Sequence, residues 1–497
     1  MRLEKLLKTI SVESITGNAN IDIFGISCDS RKVGKNYLFV CIDGFKTDGH
    51  LYIKDAVNRG AIALVVGKNR RLKPATTNKN ITIVKVQDMR LALGKISAEF
   101  YGNPSKKIKV IGITGTNGKT TSAFLIESIL KKARLNPGVI GTIVYKIGKN
   151  EIAATNTTPE SLEIQKIFSE MLRNNCDCAV MEISSHALEL NRVASTEFDV
   201  AIFTNLTQDH LDFHKSMNEY LNAKTKLFKL LNLSSKKSKV AILNLDDSHS
   251  KYIQKFVKTK ILTYGINPKA DIFADNIKLD ICGTSFNAGT PAGEILINLK
   301  LKGLHNIYNA LCAISVGIFY EIPLSIIKQG IESVHSVSGR FEMINVGNNI
   351  NAVVDYAHTP DALEKTLKAI SQFKPKRIIT LFGCGGERDK LKRPIMGKIA
   401  SVLSDFVVLT SDNPRSEDPK KIILEVARGI KKIKKKNYTI VVDREKAIRK
   451  ILNYAKSGDV ILFAGKGHEN YQILKDKTIP FSDKEIIKKW KKSQLMK

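Results

Sequence analysis

The sequence predicts an α/β protein of three domains, and three observations predict it. Its 497 residues suggest about three units, since domains typically hold ~100–200 residues. From Ile108 onward, apolar runs of strand length alternate with helical patterns. Those runs are continuous rather than alternating, as expected of strands buried on both faces of a parallel sheet.

Residues 1–105 form the first region, where "YLFVCIDG" and "AIALVVG" are strand-like and "DAVNRGA" between them is helical. The segment "FYGNPSKKIK", with Gly102, Pro104 and clustered lysines, marks a boundary. In residues 106–335 the strands are "VIGITG", "DCAVMEI", "FDVAIFTN" and "KVAILNLD". The third region, 336–497, opens at "VSGRFEMI" and carries strands at "AVVDYA", "RIITLFG", "DFVVLT" and "DVILFAG". Each ends in a polar, glycine-containing or acidic turn, and ligands of open α/β sheets bind outside such carboxyl ends.

Composition narrows the class. No apolar run approaches the ~20 residues of a membrane-spanning helix, so no membrane insertion is expected. The N-terminus has charges inside any apolar stretch and no small-residue cleavage site, which argues against secretion. Seven cysteines, at 28, 41, 176, 178, 282, 312 and 384, make neither a disulfide framework nor a zinc site. A cytoplasmic protein is expected. The net charge of +31 invites a nucleic-acid reading, tested by stimulation of ATP hydrolysis and by steep salt dependence. Lysine is spread along the chain rather than patched, so no nucleic-acid partner is expected. The runs "KKIKKKN" and "KKWKKSQLMK" are solvated helix ends and a tail on this reading, and anionic small molecules remain compatible.

"VIGITGTNGKTTSAFLIESIL" carries the first chemistry. An apolar run ends in a glycine turn, then Lys119-Thr120-Thr121, then a helical pattern with Phe124, Leu125, Ile129 and Leu130 apolar. The usual G-x-x-x-x-G-K-[ST] spacing would place its first glycine at 113, where this chain has Ile113; the glycines are Gly112, Gly115 and Gly118. Strand, turn and helix still make a phosphate loop. Gly115, Thr116, Asn117, Gly118, Lys119, Thr120 and Thr121 offer backbone N–H groups, a cation and hydroxyls to a nucleotide's phosphates and Mg²⁺. The central region is therefore a P-loop parallel-sheet ATPase domain, and the third a Rossmann-like α/β domain.

Glu182 ends an apolar run, where a carboxylate can reach the metal. "TNLTQDHLDFH" adds Asp209, His210, Asp212 and His214 after the next strand, with His210 a candidate metal ligand. Lys224 and Lys226 follow on a helix; a protonated lysine is a poor ligand, so the residues alone suggest a solvated basic face.

"GITGTNGKTT", "MEISSHAL", "TNLTQDHLDFH", "NAKTKLF", "GLHNIYNALCA", "SGRFE" and "VVDYAHTPDAL" occur in this order. Together they closely resemble the Mur ligases of peptidoglycan synthesis, over nearly the whole chain. The shifted glycine spacing is that family's form of the loop. The resemblance implies ATP activating a substrate carboxylate to an acyl phosphate, which an amine attacks through a tetrahedral intermediate. By position, Lys119 and Thr120 bind phosphate and the first Mg²⁺ beside Glu182. His210 matches a ligand of a second Mg²⁺, and Lys224 a lysine carbamylated to a carboxylate-like ligand (N6-carboxylysine). Lys119, His210 and Lys224 are thus the implied catalytic set. Asn306 and Asn309 match the adenine-binding stretch, and Arg340 and Asp355 complete the nucleotide site.

The resemblance also implies the other substrates. "SCDSRKV" places Ser30 and Arg31 near the uracil and pyrophosphate of a UDP-N-acetylmuramoyl-dipeptide. Asn156, Thr157 and Thr158 of "TNTTPES" would hold its peptide, joined by Ser184 and Arg192. "TSDNPRSEDP" contains Asp412, Asn413 and Arg415, resembling members that add meso-diaminopimelate rather than lysine. Arg415 can fork the distal carboxylate, which lysine lacks, and an arginine left unpaired penalises lysine further, by roughly 10⁴ or more. Arg388, Gly465 and Glu469 complete that pocket, with Glu469 suited to the distal ammonium. Glu387 stands where the family has aspartate. A monomer that closes its domains on these small molecules is expected. Folylpolyglutamate synthetases share the central domain but not the first region or "DNPR".

Overall fold

The computed structural model describes residues 1–44, 47–70, 80–280, 283–433 and 437–495. Phe45 and Lys46 just after "YLFVCIDG", residues 71–79, Cys282 with its predecessor, the lysines at 434–436 and the last two residues lie outside them.

Three sheets carry the chain. The first has parallel strands Gly25–Ser27, Tyr37–Val40, Ala61–Gly67 and Thr82–Val86 in that order, closed by antiparallel Ser14–Thr16. The central sheet has a parallel heart in the order Lys260–Gly265, Val240–Asn244, Val200–Phe203, Lys109–Thr114, Cys178–Glu182 and Pro137–Ile140. Every residue of Cys178–Glu182, Val200–Phe203 and Val240–Asn244 is buried, which is why these runs are unbroken in the sequence. The third sheet runs Ile350–Asp355, Asp459–Ala464, Arg377–Phe382, Phe406–Leu409, Tyr438–Ile440, all parallel, with Glu342–Gly347 antiparallel at one edge.

The chain leaves Lys109–Thr114 toward one edge of the central sheet, then returns to lay Val200–Phe203 on its other side. Its carboxyl end is therefore a switch point, the crevice where α/β sheets hold ligands. There the chain turns into helix Lys119–Lys132, which buries Leu125, Ile129 and Leu130 against helices Leu304–Phe319 and Leu324–Glu332.

Antiparallel extensions widen the central sheet beyond the strands read from the sequence: Val144–Ile147 and Asn150–Ala153 at one edge, Ile272–Asp280, Gly283–Thr290 and Gly293–Leu299 at the other. Val144–Ile147 and Gly283–Thr290 alternate covered and half-covered side chains, and Asn150–Ala153 is exposed throughout, unlike the continuous runs of the parallel heart. Helix Met89–Phe100 docks the first region on helix Ser161–Arg173, and Arg90 donates to Glu160 across that joint at 2.9 Å.

The lysine-rich C-terminal segment "KKWKKSQL" forms the end of helix Asp483–Leu495, on which Ile487 is buried. Of the six described cysteines, five are buried and Cys28 is half-buried; none is in a disulfide. Burial pushes the thiols of Cys178, Cys312 and Cys384 up to about 12 and that of Cys28 to about 11. No helix among the described residues is long and apolar enough to cross a membrane.

Candidate active site

A cleft of about 1150 Å³ opens at the carboxyl ends of the central and third sheets. Its floor is the loop after Lys109–Thr114. Gly115 and Gly118 take φ of 149° and 89°, and a Cβ on Gly115 would meet Thr204 Oγ1 at 1.8 Å. Glycine is thus required by both conformation and space. Lys119 folds its Nζ back to donate to the carbonyls of Gly115 and Thr116, at 2.8 and 3.0 Å. Burial lowers its pKa, with Glu182 opposing.

Thr120 is where separate elements meet. Its hydroxyl donates to Glu182 Oε2 at 2.9 Å and accepts from the Arg340 guanidinium at 2.9 Å. Glu182 is fully covered and accepts in addition from the backbone and hydroxyl of Thr142, at 2.8 and 2.9 Å. Thr142 in turn pairs with Thr157, while Thr158 donates to the carbonyl of Glu182 and Arg192 to the carbonyl of Thr158. The "TNTTPES" loop is therefore bonded directly to the Glu182 backbone carbonyl and, through Thr142, to the carboxylate beside the phosphate loop.

His210 sits at φ 56°, starting the short helix Leu211–His214, and its ring meets His186 edge-on at 4.8 Å between centroids. Burial drives the pKa of His210 well below its usual value, and those of His186 and His214 to about 4. These imidazoles are neutral at pH 7, so a ring nitrogen lone pair is available to a cation. Burial works against the Asp209 carboxylate, but His210, Lys392 and His358 outweigh it and hold its pKa well below the usual range.

Lys224 lies behind the cleft wall. Helix Met217–Leu233 turns one face inward, burying Tyr220, Lys224, Leu227, Phe228 and Leu231 together. Lys224 Nζ stands 4.2 Å over the Tyr220 ring, and Tyr220 pairs with Thr116 of the phosphate loop at 3.2 Å. The solvated basic face holds for Lys226, which bonds exposed Glu189, and fails for Lys224. Burial, reinforced by nearby Lys119, drives Lys224 well below its ordinary pKa and so favours the neutral amine.

The opposite wall belongs to the third sheet. Asn413 donates from Nδ2 to Glu469 Oε2 at 2.9 Å and accepts at Oδ1 from Lys466 and from the Ile473 backbone. Arg415, at φ 52°, donates to the carbonyl of Gly386 at 2.7 Å; burial and neighbouring Arg388 lower its pKa. Gly465 holds φ 104°, where a Cβ would approach Asp412 Oδ2 to 2.8 Å. Glu387 also takes positive φ and bonds Ser416, so the longer acid is accommodated in the turn.

Asn306, Asn309, Arg340, Asp355 and Arg388 line the same cleft, with Ser184 and Asn156. Asp355 accepts from the backbones of Phe341 and Ala357 at 2.6 and 2.8 Å, so it shapes the turn behind Arg340. Ser30 and Arg31 stand apart from the cleft wall, on the turn Ser30–Lys32, where Arg31 forks exposed onto Asp29. Sequence reasoning missed His186, His358, Lys392 and Lys466. His186 and His358 lie inside motifs already quoted, Lys392 and Lys466 outside them, and nothing in their spacing separates any of the four from surface residues.

Comparison with known proteins agrees along the chain. Residues 22–101 match the Mur ligase family catalytic domain, 113–317 the Mur ligase middle domain, and 339–467 the Mur ligase glutamate ligase domain. A UDP-N-acetylmuramoyl-L-alanyl-D-glutamate–2,6-diaminopimelate ligase of Caldanaerobacter subterraneus subsp. tengcongensis is 46% identical over 98% of both chains. A solved structure of a protein of that name superposes with TM-score 0.68 at 29% identity, covering 100% of this chain and 99% of its own. MurF ligase from Thermotoga maritima, solved with ADP, shares the fold at TM-score 0.66 and 19% identity, over 95% and 98% of the chains.

Proposed function

Because the chain belongs to the Mur ligase family, we propose that its cleft joins UDP-N-acetylmuramoyl-L-alanyl-D-glutamate to meso-2,6-diaminopimelate. It is an ATP-dependent amide ligase of peptidoglycan precursor synthesis, releasing ADP and phosphate. The carrying observation is that the phosphate loop and the Asn413–Arg415–Glu469 pocket form facing walls of one cleft.

The D-glutamyl carboxylate attacks the γ-phosphorus, the bond to the ADP oxygen breaks, and an acyl phosphate forms. The diaminopimelate amine then attacks the acyl carbon. The tetrahedral intermediate expels phosphate and the nitrogen loses its proton. Lys119 neutralises charge gathering on the phosphoryl oxygens from its seat in the loop. Thr142, Thr157, Thr158 and Arg192 hold the peptide end, tied to Glu182 by the bonds described above. Arg415 takes the distal carboxylate of diaminopimelate and Glu469 its ammonium.

The donor set suits magnesium: a threonine hydroxyl, a buried carboxylate, a neutral imidazole and a buried amine open to carbamylation. Thr120 and Glu182 would hold one ion, His210 and carbamylated Lys224 another. Such ions would supply positive charge to the phosphoryl and acyl oxygens.

The test is ADP and phosphate release with the UDP-muramoyl-dipeptide, comparing meso-diaminopimelate with L-lysine, beside Arg415→Ala. Turnover requires diaminopimelate and is lost with Arg415; equal turnover with lysine overturns the assignment of the amino acid.

A further inference from the structure

In "AGKGHE" the chain takes φ of 104° at Gly465 and 51° at Gly467. A Cβ on Gly467 would come within 2.7 Å of Gly339 O and Tyr356. These two left-handed turns drive the residue between them inward: Lys466 is fully buried. Its ammonium donates three hydrogen bonds, to Asn413 Oδ1 at 2.6 Å, Glu469 Oε2 at 2.9 Å and the Tyr471 carbonyl at 2.7 Å. All three donor positions of the lysine are used.

We infer that Lys466 is a positioning residue that sets the specificity pocket, by holding Asn413 and Glu469 in one arrangement and keeping Glu469 off Arg415. This rests on the reading of that pocket as the diaminopimelate site. Because Asn413 Oδ1 receives both Lys466 and the Ile473 N–H, its Nδ2 must point at Glu469. Lys466 and Asn413 both bond the same oxygen, Oε2, which leaves Oε1 for a ligand ammonium in the cleft that Glu469 lines.

The charges make this necessary. Diaminopimelate presents an ammonium and a carboxylate on one distal carbon, so its pocket needs an anion and a cation side by side, unpaired with each other. Left alone, Glu469 and Arg415 would satisfy one another and close the pocket. A third, buried cation on Oε2 removes that choice. A lysine is suited to it, as a compact charge that does not fork. A buried ion pair is not needed for packing, since apolar side chains of the same volume replacing both partners fill such a slot as well or better.

The experiment is a double-mutant cycle of Lys466→Met and Glu469→Gln in the full chain, reading KM for meso-diaminopimelate, KM for ATP, kcat and melting temperature. Lys466→Met raises the diaminopimelate KM about 10- to 100-fold, the scale of lost charge-assisted hydrogen bonds, with the ATP KM unchanged within about twofold. The double variant matches Glu469→Gln in diaminopimelate KM, because the lysine acts on that KM through the Glu469 carboxylate. Multiplying effects, an unchanged diaminopimelate KM, or an equal rise in the ATP KM overturns the inference. If Lys466→Met does not fold, the double variant decides: folded and matching Glu469→Gln supports positioning, unfolded makes Lys466 structural and overturns it. Wild-type protein inactive with diaminopimelate would instead refute the substrate reading, which separates the two failures.

Discussion

Lys392 Nζ lies 3.2 Å from Asp209 Oδ1, with both side chains buried, and the pair joins two domains. The lysine begins helix Lys392–Leu403 behind the third sheet; the aspartate immediately precedes His210 at the end of the central one. Gln208 bonds Asp389 at 3.2 Å and Asn117 bonds Asp361 at 2.8 Å along the same seam. The third domain is thus clasped to the central one beside the phosphate loop and the histidine cluster.

Removing one partner of a buried pair leaves the other charged and uncompensated, at a cost of about 3–5 kcal/mol. Lys392→Met therefore lowers kcat/KM by at least ~10²-fold, allowing for partial relaxation toward His358. It also lowers the melting temperature. Steady-state kinetics beside thermal melting checks it; wild-type turnover would mean the clasp is incidental.

Gly115→Ala places a methyl 1.8 Å from Thr204 Oγ1 at a φ of 149°. The loop must shift, and its N–H groups lose their convergence on phosphate. ATP affinity measured by calorimetry falls by more than about tenfold, the equivalent of ~1.4 kcal/mol or more, while the diaminopimelate pocket across the cleft is untouched.

Arg393 is fully buried and bonds Glu417 at 2.9 and 3.0 Å and Glu425 at 2.8 Å. The bonds from Arg393 lower the Glu417 pKa from its ordinary 4.5, so the unfolded chain binds more protons than the folded one in the window below that value. Stability from this pair is complete above pH ~4.5 and is lost as pH falls through the folded pKa. The melting-temperature gap between wild type and Glu417→Gln is widest near pH 6 and shrinks toward pH 3. A gap independent of pH refutes the pair as its source.

The carbamate proposed at Lys224 forms when a neutral amine adds carbon dioxide and releases a proton, and burial shifts this amine toward its neutral form. Activity falls in degassed, bicarbonate-free buffer and returns when bicarbonate is added; Lys224→Ala is inactive under both conditions. Labelled bicarbonate gives a carbamate carbon signal in NMR spectra of the wild type only. Full activity without bicarbonate would leave Lys224 an amine.

The parallel hearts of the second and third sheets were legible because double-sided burial writes itself as continuous apolar runs, as in Cys178–Glu182 and Asp459–Ala464. The phosphate loop was legible despite its displaced glycine, because strand, lysine and helix survive the shift. The antiparallel edge strands were not: "NEIA" is exposed at every position and carries no apolar signal. Lys224 was misjudged from the residues alone because helix periodicity does not say which lysine faces inward. Only the packing of Tyr220 and Phe228 decides that. Lys392 and Lys466 were invisible for a related reason, since 79 Lys and Arg residues leave two buried cations no way to stand out.

The described cysteines are covered and react slowly with maleimides and similar reagents at neutral pH. The described thiols are buried or half-buried, and those of Cys28, Cys178, Cys312 and Cys384 hold their protons up to about 11 or 12. Fluorophores can therefore be attached at thiols introduced by design, one on the exposed face of each domain, in a Cys282→Ser background. The distance between two such dyes would report, turnover by turnover, whether the clasp between Lys392 and Asp209 opens.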